Sequence, residues 1–109
     1  MKAIICGGGQ VGSSIAGELA SERVDVTVID QSTELIRRIR DTLDVTTMVG
    51  FASHPDVLEA AGARDADMIV AVTFADEVNM IACQVAHSLF EVPMKIARVR
   101  AQSYRNPIW

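Results

Sequence analysis

Apolar and polar positions follow two alternating rhythms along this chain, and each change of rhythm marks an element boundary. Residues 3–6, Ala-Ile-Ile-Cys, form a short apolar run that ends in glycines. A four-residue rhythm follows over Gln10–Ser21, where Val11, Ile15 and Leu19 share a helical face that Ala16 and Ala20 keep thin. Residues 24–30 read Val-Asp-Val-Thr-Val-Ile-Asp, a β-branched strand pattern. A second helix is predicted from a Ser32 cap through Leu43, with Glu34 in its first turn and Leu35, Ile36, Ile39 and Leu43 as its stripe. Residues 45–49 form a third strand, and Gly50-Phe51-Ala52 turns the chain. Ser53-His54-Pro55-Asp56 then reads as a capping box, opening a short helix over 55–61 that stops at Gly62. Residues 68–72, Met-Ile-Val-Ala-Val, are apolar throughout, as a central parallel strand buried on both faces must be. A helix over Asp76–Phe90 carries Val78, Ile81, Ala82, Val85 and Leu89 on one side, and Pro93 closes the segment. Residues 95–99 are the fifth strand, and no element is predicted for the tail, 101–109.

Five strands alternating with four helices predict an α/β fold, a Rossmann-like doubly wound parallel sheet with helices on both faces. Right-handed crossovers leave few topologies, and strand order 3-2-1-4-5 fits the glycine-rich turn. The 109 residues suffice for one domain. In such a sheet the ligand lies at the carboxyl ends of the strands, which here are residues 7–11, Asp30, 50–52, 73–74 and 98–100.

The turn itself carries the clearest chemistry. Gly7-x-Gly9-x-x-Gly12 sits between a strand pattern and a helix pattern. Gly7 permits a tight reversal, Gly9 lets backbone approach a pyrophosphate, and Gly12 lets the helix pack closely on the strand. The first N–H groups of the helix lack intrahelical partners and attract an anion. Asp30, eighteen positions after Gly12, ends the next strand, close to the spacing of about twenty at which a carboxylate reaches ribose hydroxyls. That carboxylate would repel a 2′-phosphate and so favours NAD over NADP. Thr73 is placed either to bond ribose or phosphate or to cap the following helix. Phe51 and Ala52 are candidates for the adenine pocket. Arg98 and Arg100 share one face if the fifth strand continues, and Arg98 is placed to neutralise a phosphate or to meet a partner subunit.

Charge and composition narrow the functional classes. Ten basic against fourteen acidic side chains give a net charge of −4, which argues against a nucleic-acid or anionic-membrane surface. Arg37, Arg38 and Arg40 are expected to form a solvated helix face. No apolar run approaches the eighteen or so residues needed to cross a bilayer, and the opening is too briefly apolar for a secretory signal. Cys6 and Cys83 read as core residues of a reducing compartment. His54 and His87 have no ligand-type neighbours, so no metal site is expected. No nucleophile–base set accompanies the glycine turn. The alternative reading is the cofactor half of an NAD-dependent oxidoreductase, which would need a second domain to hold a substrate over the nicotinamide.

Four segments carry a family resemblance: Cys-Gly-Gly-Gly-Gln-Val-Gly-Ser, Asp-Val-Thr-Val-Ile-Asp, Gly-Ala-Arg-Asp-Ala-Asp-Met-Ile-Val-Ala-Val-Thr and Asp-Glu-Val-Asn-Met-Ile-Ala-Cys-Gln-Val-Ala. Over essentially the whole chain they resemble the amino-terminal domains of Trk-type potassium-uptake regulators, members of the RCK/KTN family (regulators of potassium conductance). The resemblance implies a non-enzymatic, cytoplasmic subunit that binds NAD(H), or else ATP, ADP or AMP. It would gate a membrane-embedded potassium transporter at the inner face of the membrane, reaching that face only through its partner. It also implies a homo-oligomer built through RCK-type contacts. The family's nucleotide contacts fall on Gly7, Gly8, Gly9, Gln10, Val11, Asp30, Phe51, Ala52, Thr73, Phe74 and Arg98. Phe51 and Ala52 stand where smaller or polar residues are expected, and Phe74 replaces a small polar residue. Family members continue into a sixth strand, a crossover helix and a C-subdomain, so the chain is expected to be a single nucleotide-binding domain truncated before them.

Overall fold

Strand β1 (Lys2–Cys6) runs down the middle of a five-stranded sheet in the computed structural model, which describes residues 1–106. It pairs in parallel with β2 (Asp25–Asp30) on one side and β4 (Met68–Ala71) on the other, so that Ala3 lies opposite both Val26 and Met68. β3 (Thr46–Val49) and β5 (Met94–Ala97) complete the order β3-β2-β1-β4-β5, all parallel. This is the predicted Rossmann-like topology. The central position of β1 explains its composition: Ala3 through Cys6 are wholly buried, with no face available to a polar side chain.

Alternate residues of the strands feed two cores. Ala3, Ile5, Val26, Val28 and Val70 pack against α1 (Gln10–Ser21) and α2 (Thr33–Thr42). Ile4, Cys6, Ile29, Ile69 and Ala71 face the opposite way, toward α3 (Pro55–Ala60) and α4 (Asp76–Phe90). The Ser32 hydroxyl accepts from the Leu35 N–H at 3.2 Å and caps α2 as expected. Gly62 ends the α3 region at φ +93°, and a 3-10 turn, Ala63–Asp65, leads to β4.

Several expectations need correction. The buried face of α1 is Gly12 and Ala16, whereas Ile15 and Leu19 flank it and Val11 is exposed. On α4 the buried residues are Asp76, Asn79, Ala82, Ala86 and Phe90, and Ile81 and Leu89 stay about half exposed. In both helices small residues make the close approach to the sheet and Ile15, Leu19, Ile81 and Leu89 splay to the sides, while Phe90 is buried as the last residue of α4. The capping box at Ser53 does not form: His54 is the N-cap of α3 and makes no side-chain cap bond, though Pro55 does hold the first helical position. β5 begins at Met94 and ends at Ala97, so Arg98 and Arg100 lie beyond it rather than on one strand face. The tail, in which no element was expected, makes one helical turn, α5 (Gln102–Arg105); its last three positions lie outside the described residues.

Candidate functional site

A cleft of about 590 Å³ opens at the carboxyl ends of β1, β2 and β4, and the glycine turn forms its floor. Gly7 has φ +112°, and a Cβ there would press on the backbone of Val72 at 3.0 Å; its N–H bonds the Ile29 carbonyl at 2.8 Å. A Cβ on Gly12 would collide with the Gly7 carbonyl, so the turn and the first turn of α1 pack backbone on backbone. Gly9 differs: a Cβ there would meet nothing within 4 Å and would project into open space. α1 starts at Gly9 with no side-chain cap and no acid in its first turn. Its first N–H groups are therefore left to whatever anion the cleft receives. This floor suits a pyrophosphate.

Asp30 does more than line the cleft. One carboxylate oxygen accepts from the Gly8 N–H at 2.6 Å and the other from the Ser32 N–H at 2.7 Å. Each oxygen keeps a lone pair for a hydroxyl of a bound ribose. Gly8 itself does not line the cleft; its Cα side faces Ile39, which a Cβ would meet at 2.8 Å. The other ten expected site residues all lie on the cleft wall. Among them Phe51 is 53 % exposed, stacked on His54 with ring centroids 5.3 Å apart, and Ala52 is buried in the core on the α3 and α4 side.

The far wall is organised by a residue the sequence reading passed over. Asn79, fully buried on α4, accepts at Oδ1 from the Thr73 N–H (2.8 Å) and the Thr73 hydroxyl (2.7 Å). Its Nδ2 donates to the carbonyls of Thr73 (3.1 Å) and Arg98 (2.9 Å), tying the end of β4 to the end of β5. The signal available in the sequence is an amide at helical spacing from Ala82, Ala86 and Phe90. Thr73 therefore does not cap α4, whose N-cap is Ala75. Arg98 Nη2 donates to the carbonyls of Val72 (2.8 Å) and Thr73 (3.0 Å), and its buried Nε has no hydrogen-bond partner among the described residues. Phe74, 80 % exposed, lies beside the Arg100 guanidinium, 5.6 Å from its ring centroid.

Arg100 does not line the cleft. Asp76, a second residue the sequence reading missed, accepts from the N–H groups of Arg100 (2.9 Å) and Ala101 (2.7 Å). Those two bonds hold its carboxyl below the usual carboxylate range. At the end of β1, burial pushes the Cys6 thiol well above its ordinary value.

Among the described residues the ionisable side chains on the cleft wall are Asp30 and Arg98, and both are braced against backbone. Among the described residues no cluster of three or more His, Cys, Asp or Glu is placed to hold a metal ion, and no helix is long and apolar enough to cross a membrane. The arrangement presents backbone amides, a carboxylate and a guanidinium to one cleft.

The chain is 59% identical to the Trk system potassium uptake protein TrkA of Azorhizobium caulinodans over 109 residues, all of this chain but 24% of that protein. It thus spans about a quarter of the length of that relative. Among solved structures it is similar to the Kef CTD of Shewanella denitrificans in AMP-bound form, at 26% identity and TM-score 0.73, covering 88% of this chain and 57% of that one. The NAD(P)-binding domain of an exopolyphosphatase-related protein from Archaeoglobus fulgidus shares the fold, with TM-score 0.81 at 18% identity over 94% of this chain and 76% of that one. The TrkA-N domain family matches residues 3–108, and with the glycine turn, Asp30 and strand order in place, this chain belongs to that family.

Proposed function

We propose that this chain is the nucleotide-sensing domain of a potassium-uptake regulator. In this reading it binds NAD(H), or an adenine nucleotide, and uses the binding to gate a membrane-embedded potassium transporter. The single observation that carries the nucleotide is the floor of the cleft, where an uncapped helix N-terminus and an unobstructed Gly9 lie next to the Asp30 carboxylate. The name of the Azorhizobium relative supports the potassium system, and the AMP held by the Kef relative supports an adenine ligand. The nucleotide acts as an allosteric ligand, not a hydride carrier. Among the described residues the cleft wall carries two ionisable groups, Asp30 and Arg98, and both are tied to backbone, which supports binding over proton transfer to a substrate.

The domain works as one unit of a longer regulator that continues into a crossover helix and C-subdomain and assembles as a homo-oligomer. It is cytoplasmic and meets the inner face of the membrane through its transporter partner. Ligand gates the transporter only by binding one arrangement of the assembled domains better than another. Isothermal titration of the purified protein with NADH, NAD, ATP, ADP and AMP tests the first step. The expected outcome is saturable binding of at least one, with no turnover. Absence of binding by all five would remove the nucleotide from this reading.

A further inference from the structure

The geometry points to Phe51 and Phe74 as two stacking platforms that select a ligand with a flat ring at each end, NAD(H), over an adenine mononucleotide. This rests on the nucleotide reading above and concerns the same cleft.

Both rings line the cleft and are largely open, 53 % for Phe51 and 80 % for Phe74. Each is steadied from one side. Phe51 stacks on the His54 imidazole, and Phe74 has the Arg100 guanidinium at its ring. The backbone beneath Phe74 is fixed as well, because Arg100 Nη2 donates to the Phe74 carbonyl at 3.0 Å and Asp76 holds the Arg100 N–H. These are braced side chains at an open surface, as a stacking platform requires, since a ring already in place loses little freedom when a base settles on it.

Their places in the fold separate their roles. Phe51 follows β3, on the half of the sheet that carries Asp30, whereas Phe74 follows β4, across the point where strand order reverses. Three strand spacings of about 4.8 Å lie between β3 and β4, about 14 Å in all. A nucleoside held through Asp30 occupies the Phe51 half, with its phosphates on the glycine turn. A ring reaches Phe74 only if it is joined beyond those phosphates, as the second nucleoside of a dinucleotide is. Phe51 therefore serves every adenine nucleotide and Phe74 serves the dinucleotide alone.

Titration of the purified wild-type, Phe51→Ala and Phe74→Ala proteins with NADH, ADP and AMP separates the possibilities. Phe74→Ala is expected to weaken NADH about ten-fold and to leave ADP and AMP unchanged, and Phe74→Trp to restore NADH. Phe51→Ala is expected to weaken all three ligands. Unchanged NADH affinity in Phe74→Ala, or an equal loss for ADP, overturns the assignment of Phe74 while nucleotide binding stands. Unchanged AMP affinity in Phe51→Ala overturns the first platform. If none of the three binds the wild type, this inference falls together with the reading beneath it.

Discussion

The carboxylate of Asp30 holds the N–H of Gly8 at 2.6 Å, so the acid that ends β2 and the turn that follows β1 form one rigid piece. Asp30→Ala is therefore expected to act on two observables at once. Losing two charge-assisted backbone bonds should lower stability by about 1–3 kcal/mol, read as a lower urea midpoint. Losing the ribose acceptor should weaken nucleotide binding about ten-fold or more. Unchanged stability would contradict the brace, and unchanged affinity would take Asp30 out of the site.

Gly9 and Gly12 separate folding from binding. Gly12→Ala drives a methyl group into the Gly7 carbonyl and should cost about 1–3 kcal/mol or more of stability. Gly9 has φ −72° and open space at its Cβ, so Gly9→Ala should leave the melting temperature unchanged or slightly raised. Its methyl group would nonetheless stand where phosphate must sit. A Gly9→Ala protein that melts normally but still binds nucleotide at full strength would contradict the use of this turn.

Asn79 is expected to be the most sensitive position of the far wall. Replacing it with Leu leaves the Thr73 N–H and the carbonyls of Thr73 and Arg98 without their partner, at a cost of about 2–4 kcal/mol. Asn79→Asp keeps the acceptor for Thr73 but can no longer donate to either carbonyl while ionised, so it too should destabilise near neutral pH. Thermal melts of both variants check this, and a shift within experimental error in either would show that the network is dispensable.

Asp76 predicts an acid limb in the stability profile. Its folded pKa lies below the unfolded value of about 3.9, so the folded state binds the proton less readily. Its contribution is fully present above the unfolded value and is lost as pH falls through the lowered folded one. Asp76→Asn should flatten that part of the profile in urea denaturation followed from about pH 5 downward. A limb of the same steepness in the variant would place its origin elsewhere.

The thiol of Cys6 is wholly buried and its ionisation is suppressed by that burial, so alkylation in the native state should be negligible at neutral pH. Modification of Cys6, followed by mass spectrometry of the digested protein, should appear only as the domain opens. Rapid native-state labelling would contradict the burial of β1.

Topology and the position of the cleft were legible because they depend on local signals: a glycine turn between two rhythms, an acid at a strand end, and apolar runs of strand length. Helix faces were less legible. A search for the largest apolar residues pointed to Ile81 and Leu89, but packing against the sheet favours Ala82 and Ala86, which leave room for close approach. β5 was expected to run to residue 99 and ends at Ala97; past it Asp76 takes the Arg100 and Ala101 N–H groups from 24 and 25 positions away, contacts that exist only after the sheet has formed. Asn79 was missed for the same reason, since its partners are brought to it by tertiary structure.

The position of β1 between β2 and β4 has a consequence for synthesis on the ribosome. Ala3 is made well before one of its two strand neighbours, Met68, and the cleft gains Arg98 later still. Parallel pairing offers no hairpin to hold an early half in place. A nascent chain released before Arg98 therefore has a glycine turn but no finished cleft. Once the cleft is complete, any ligand it holds adds to the stability of the fold by mass action. A nucleotide held there would then lengthen the life of each folded copy of this domain.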